Sequence, residues 1–327
     1  RSLLRDYPPE LISWAGLQSR FDLEWPEGPY PLLSLPRPRQ WRGETLPTLL
    51  RDSLTVFWQL YLARRMAPAY ARQISRFASD SGTQTVFTIL GPDPMMTYLI
   101  CALLVVDPGL SVKVLVHDPP TRMCGDVLPV LSGGLRMLIE GHLKSVVHGC
   151  QALAVCSDGM GEYYRKAFGR NSEVMIHSLP YTSFRTRNSG FVSPEKLIIG
   201  FAGSAPNETP WRTLLGALEA LHWTVGGRNV ELAIFGHPPQ WLEGLQHVRV
   251  HGWTSQEETL FHLENCDILY LPFWFDEKHL ESAQQCFPSK LSTYVAAGRA
   301  ILYHGPDRSA PCTFFSKYPA ALQSHSL

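Results

Sequence analysis

The chain has 327 residues, 45% hydrophobic and 18% charged, which excludes an intrinsically disordered protein and supplies buried cores for two domains. Its 29 basic side chains balance 29 acidic ones, so no global charge calls for nucleic acid as a partner. The balance is uneven: residues 1–190 hold 20 Lys/Arg against 16 Asp/Glu, and residues 191–327 hold 9 against 13. A basic first half suits an anionic acceptor or a membrane surface, or is simply a solvated surface. Seven cysteines without a Cys-x-x-Cys pair lie partly within apolar runs, as reduced core cysteines do, so a cytoplasmic setting is expected. The longest apolar run, Met95 to Val106, is too short to span a bilayer, and no secretory signal opens the chain. The chain starts at Arg1, not Met, and stops at Leu327 soon after a strand-like segment, so one or both ends are expected to be trimmed, with the second domain cut short at its C-terminus.

Taken in order, Arg1–Asp6 reads as the tail of a strand closed by Tyr7-Pro8-Pro9-Glu10, and a Pro- and Trp-rich loop follows from Trp25 to Trp41. Leu46–Ala78 carries a helical pattern punctuated by Arg51, Arg64, Arg65, Arg72 and Arg76, with Pro68 expected to kink or divide it. Strands are predicted over Gln84–Leu90, Ser111–Val116, Ala152–Cys156 and Val174–Leu179. Helices are predicted between them, over Met95–Val106, Leu131–His148 and Gly159–Phe168. Asn188–Lys196 reads as a linker, dividing the chain into domains 1–190 and 191–327. The rhythm then restarts with strands at Leu197–Ala202, Val230–Phe235, Val248–Gly252 and Ile268–Leu271, and helices at Trp211–Trp223 and Ser255–Cys266. Two successive βα arrays predict an α/β protein of two doubly wound Rossmann-like sheets facing a cleft.

The most informative segment is Phe287–Pro306. Ser289 and Lys290 open a predicted helix, where unpaired N–H groups and the helix dipole attract an anion. Leu291, Tyr294, Val295 and Gly298 fall at i, i+3, i+4 and i+7, one face for packing on a sheet, and Gly298 suits a C-terminal cap. Ala300–Tyr303 then reads as a buried strand. An ordinary αβ unit has the same spacing, so the segment by itself allows either a phosphate site or a purely structural role.

Several segments together resemble the two-domain GT-B glycosyltransferases, family 4 in particular. They are Ile199-Gly200-Phe201-Ala202-Gly203-Ser204, Ile234-Phe235-Gly236, His251-Gly252-Trp253 with Glu257–Cys266, Asp267–Phe273, and above all Phe287–Pro306. In the first domain Asp6–Glu10 resembles the family's loop after its first strand, and Val116-His117-Asp118 and Ala154–Asp158 resemble strand ends that line the cleft. The resemblance implies a retaining, metal-independent transfer of a sugar from a nucleotide-diphosphate donor to a glycan, lipid-linked or small-molecule acceptor, with no cofactor. It implies donor diphosphate binding by Gly203, Ser204, Ser289 and Lys290, and places the cleft histidine at His117 as the catalytic residue. One departure stands out: where family 4 has two glutamates, this chain has Gln285 and Thr293. Those two are expected to touch ribose or sugar, and a subgroup with Phe-Pro-Ser-Lys-Leu in place of the acidic motif is the better home.

Other residues keep two readings. Trp253, Phe273 and Trp274 can stack on a base or pack in the core. Glu10 can face the acceptor or solvent, and Asp118 can orient His117 or cap the next turn. Arg212 can supply a second cation or lie on a helix surface, and His304 ends a strand with its role open. His237, His251 and His262 lack ligand spacing and no Asp-x-Asp motif is present, so no metal is expected. The arginine-studded segment Leu50–Phe77 can rest peripherally on the inner face of a membrane or be a soluble amphipathic helix. A nucleotide-sugar 2-epimerase and a non-catalytic GT-B-like module are the alternative functions.

Overall fold

The computed structural model describes residues 7–17, 30–36, 46–179, 193–204, 208–238 and 240–327. The expected strand at Arg1–Asp6, most of the Trp25–Trp41 loop and the boundary at 190/191 lie outside them. The chain forms two compact units, one up to Cys156 and from Met160 to Met175, the other comprising Ser157–Gly159 and Ile176 to Leu327.

In the first unit, β1 (Trp14–Leu17) and β2 (Leu32–Leu35) form a separate two-stranded parallel sheet. β2 lies inside the stretch expected to be loop. The long helix α1 (Thr48–Asp80) follows, then β3 (Thr85–Leu90), α2 (Pro94–Val106), β4 (Ser111–Val116), α3 (Pro129–Gly149), β5 (Ala152–Val155), α4 (Asp158–Phe168) and β6 (Glu173–Val174). The four-stranded sheet is parallel in the order β3-β4-β5-β6, with Leu90 opposite Val116 and Val116 opposite Val155. Parallel neighbours need crossovers, which the helices supply. β6 is only two residues long, shorter than the strand expected over Val174–Leu179.

α1 is one helix with Pro68 inside it, not two. Val56, Leu60, Ala63, Ala67, Tyr70, Ile74 and Ala78 make a continuous buried stripe along it, and burial along the whole stripe outweighs the hydrogen bond that Pro68 removes. Pro68 itself sits on the exposed side, where the orphaned carbonyl can meet water. α2 starts as its sequence dictates: Asp93 caps it by accepting from the Met95 N–H (2.9 Å), with Pro94 in the first turn.

The second unit contains β7 (Lys196–Ala202), α5 (Thr209–Ala220), β8 (Thr224–Val225), β9 (Arg228–Phe235), β10 (Val248–Gly252), α6 (Gln256–Leu263) and β11 (Ile268–Pro272). α7 (Leu280–Gln285), α8 (Lys290–Ala297), β12 (Ala300–His304), α9 (Ala310–Lys317) and β13 (Ala321–Ser324) complete it. Its main strands are parallel in the order β10-β9-β7-β11-β12-β13, with β8 antiparallel on β9. Chain order reverses between β7 and β11, the switch point outside whose carboxyl ends ligands bind in such sheets. Trp211 packs edge-on between Phe201 (4.9 Å) and Tyr270 (5.0 Å) in a core that includes Ile199, Leu232 and Ile234. α6 begins with a full capping box between Ser255 and Glu258. Gly298 ends α8 at φ 65°, the left-handed cap its sequence predicts.

Candidate functional site

The switch point of the second unit gathers the residues singled out for phosphate. β7 runs out at Gly203 (φ +95°), whose N–H donates to the Phe235 carbonyl at 2.7 Å, and β9 runs out at Gly236 (φ +136°). A Cβ on Gly236 would overlap the Gly203 carbonyl oxygen, so only glycine lets the two strand ends approach this closely. Beside them α8 starts at Lys290. Its Nζ donates to the Ser204 carbonyl (3.2 Å), lies 4.1 Å over the Phe201 ring, and is 3.6 Å from where a Gly203 Cβ would be. Cation–ring attraction and the carbonyl hold the ammonium in place. The residue as a whole is half-buried, but the ammonium is covered well enough for burial to pull its pKa down to about 7.

Two tyrosines fasten this arrangement. The Tyr294 hydroxyl, one turn along α8, accepts from the Ala202 N–H (3.0 Å) and donates to the Tyr270 carbonyl (3.1 Å), tying α8 to β7 and β11. Both phenols are buried, which raises their pKa values and keeps them neutral. Phe201, Tyr270 and Tyr294 escaped sequence reasoning because an aromatic at strand or helix spacing reads as core.

Ser289 stands at the N-cap in helical geometry, exposed, without a side-chain cap bond. Its carbonyl accepts from the Ser292 hydroxyl at 3.0 Å. Thr293 is half-buried one turn further along α8. Gln285 ends α7 with its side chain buried, and its amide donates to the Glu281 carboxylate at 3.1 Å. A carboxylate therefore stands four residues before the position where family 4 carries one. Its signal in the sequence was a helical i, i+4 pair, visible only once α7 is known to be a helix.

The remaining candidates separate. Trp253 follows β10 with an open face, 65% exposed, edge-on to His237 at 5.4 Å. Phe273 and Trp274 are buried against each other (4.7 Å), and Phe273 also packs on Tyr303 (6.3 Å). The base-stacking expectation for Phe273 is therefore corrected: its ring belongs to the core. Arg212 is paired with Glu208 (2.9 Å) and lies over Trp241 at 4.4 Å, on the surface of α5. His304 is buried, with Nδ1 2.7 Å from the Tyr270 hydroxyl and Nε2 2.9 Å from the Ser326 carbonyl, a structural clamp on the segment after β13.

In the first unit His117 follows β4. Its N–H donates to the Leu90 carbonyl (2.9 Å), and its carbonyl accepts from the Cys156 thiol (3.0 Å). The half-exposed imidazole places Nδ1 3.3 Å from Asp118, whose other oxygen lies 3.4 Å from Arg122. Hydrogen bonding to Asp118 raises the His117 pKa against the opposing effect of burial. Asp118 thus lies in direct contact with the His117 ring. Glu10 is exposed in a short 3-10 turn, Pro9–Leu11. Among the described residues no group of three or more His, Cys, Asp and Glu is arranged to hold a metal ion, and no helix is long and apolar enough to cross a membrane. All seven cysteines are free.

The chain matches no protein-family model and no curated protein. Solved structures do match. Sucrose-phosphate synthase from Thermosynechococcus elongatus is similar with a TM-score of 0.57 at 12% identity, over 81% of this chain and 66% of that one. The α,α-trehalose 6-phosphate synthase from Burkholderia multivorans is similar with a TM-score of 0.54 at 9% identity, over 84% and 72%. The N-terminal domain of the Candida albicans trehalose-6-phosphate phosphatase gives 0.54 at 11% identity, over 90% and 72%. This chain spans about two thirds of the length of the first of these. At such identities the likeness is one of fold, and it shows that the chain has the GT-B architecture, an α/β protein of two Rossmann-like units.

Proposed function

We propose that the chain is a glycosyltransferase that moves a sugar from a nucleotide-diphosphate donor to an acceptor hydroxyl. One observation carries the reading: a covered lysine at the start of α8 lies against the glycine-ended strand β7 at the switch point of the second unit, where Gly236 closely approaches Gly203. Breaking the bond between sugar and diphosphate leaves new negative charge on the leaving oxygen. A group aids the step to the extent that it holds this charge better than it holds the intact donor. The Lys290 ammonium, the Ser289 hydroxyl and the α8-start and Gly203–Ser204 backbone are the groups suited to that task. Thr293 and the Gln285–Glu281 pair are assigned to ribose or sugar, and Trp253 to the base. In the first unit His117, oriented by Asp118, is the proposed catalytic group, with Glu10 on the acceptor side. Retention of configuration and placement in a family 4 subgroup are part of the proposal and rest on the sequence resemblance.

The test begins with UDP, GDP and TDP. Ligand at a hundred times its Kd adds about 2.7 kcal/mol of stability, seen as a rise in Tm. Donors of the nucleotide that binds are then incubated with and without sugar acceptors. Acceptor-dependent release of nucleotide supports transfer. Epimer or glycal formed from donor alone replaces it with an epimerase, and absence of any nucleotide binding removes the enzyme reading.

A further inference from the structure

The outward face of α1 is apolar over its first half and basic over its second. Leu50, Leu54, Phe57, Trp58 and Tyr61 recur at i, i+4, i+7, i+8 and i+11, one stripe of a helix, and all are exposed: Phe57 41%, Trp58 39%, Tyr61 53%. The Trp58 and Tyr61 rings stack with centroids 5.6 Å apart. The same side continues into Arg64, Arg65, Arg72 and Arg76, all exposed, and no carboxylate occurs on α1 between Asp52 and Asp80. The core does not account for this stripe, because the opposite one, through Val56, Leu60, Ala63 and Ala67, already packs inward. The Leu128 N–H donates to Ser53 Oγ (2.9 Å), bringing the start of α3 against the same end of α1, and Val130 there is 87% exposed.

We propose that this face seats the first unit on an anionic membrane surface. The rings and leucines of residues 50–61 enter the headgroup–acyl boundary, and the arginines of residues 64–76 engage lipid phosphates along a rod about 50 Å long. Charge complementarity selects this occupant. A second copy of the chain fits poorly: a parallel pairing sets arginines against arginines, and an antiparallel one sets each apolar half against the partner's arginines. The proposal concerns the first unit and stands whether or not the chain transfers sugars.

Co-sedimentation of the full chain with vesicles tests it. Phosphatidylcholine mixed with phosphatidylglycerol (about 3:1) is compared with phosphatidylcholine alone, at low and high salt. Binding to the anionic vesicles is expected to be tenfold or more tighter and to weaken with salt. Arg72→Gln with Arg76→Gln should lower the partition coefficient roughly 20- to 30-fold, and Phe57→Ser with Tyr61→Ser at least tenfold, both with unchanged melting. Equal binding to the two vesicles, binding to neither, or binding that both variants leave intact overturns the proposal. So does a solution dimer that Phe57→Ser with Tyr61→Ser dissociates, since a second copy would then cover the face.

Discussion

Burial of Lys290 couples ligand binding to a proton. Its pKa falls from 10.5 to about 7 because the ammonium loses hydration over the Phe201 ring at the end of β7. A bound diphosphate supplies the missing counter-charge and raises the pKa again, so binding above pH 7 draws a proton from solution. The sign follows: affinity is full below about pH 7, where the lysine is already charged, and is lost as pH rises. At about pH 8.5 the free lysine lies roughly 1.5 units above its pKa, and re-protonation costs about 2 kcal/mol. The Kd of whichever nucleoside diphosphate binds should therefore weaken roughly 30-fold between about pH 6.5 and 8.5. Lys290→Ala should lose about 1.5–3 kcal/mol of affinity at the lower pH and have no such slope. Calorimetry in buffers of different ionisation enthalpy measures both Kd and proton uptake, which should approach one proton at the higher pH. Equal pH slopes for wild type and Lys290→Ala, or no uptake at the higher pH, would refute the reasoning.

The same burial affects the free protein. Between about pH 7 and 10.5 the unfolded chain holds the Lys290 proton and the folded one does not, so stability rises with pH across that window. Lys290→Met should stabilise most below pH 7, by less than about 5 kcal/mol because the side chain partly meets water, with the gain fading toward alkaline pH in urea titrations. Gly236→Ala forces a side chain into φ +136° and into the Gly203 carbonyl, and should cost at least about 3 kcal/mol; a Tm within a degree of wild type would refute the close approach. Asp118→Asn should lower the His117 pKa, followed by NMR of the imidazole. With Asp118 present the pair stabilises the fold at acid pH, and that contribution is lost as pH rises through the raised His117 value. Asp267 accepts from the Ile198 N–H (2.7 Å) and from Arg228 (3.1 Å), so Asp267→Ala strands both donors and should cost about 3 kcal/mol by urea unfolding; a loss below about 1 kcal/mol would count against it.

The legible parts of this chain were those whose signals are local. The strand–helix rhythm showed in apolar runs separated by glycine and proline. The start of α8 at Lys290 and its end at Gly298 showed because capping depends on a few residues and on backbone sterics. β2 was missed because Leu32–Leu35 is short and flanked by Pro31 and Pro36, so it offers no periodicity of its own and forms only by pairing with β1. Of the kink or division expected at Pro68, the division is absent for the complementary reason: a local breaker was overruled by a buried stripe running along the entire helix. α9 and β13 follow Pro306 in a stretch for which the sequence offered no element, and β13 takes its place only by pairing with β12. Phe273 and Trp253 both sit just after strands, and only packing separates the buried ring from the open one.

By itself the sequence determined the main strand–helix alternation of both units, and that an amine and a hydroxyl would stand at the mouth of one helix. Those properties follow from side-chain period, capping and the conformational freedom of glycine, all acting within a few residues. The tertiary structure decided the strand order with its reversal between β7 and β11, the approach of Gly203 to Gly236, and the seat of Lys290 over Phe201. Those depend on groups some 30 to 90 residues apart in the chain, and on the loss of water around an ammonium, which no local pattern encodes.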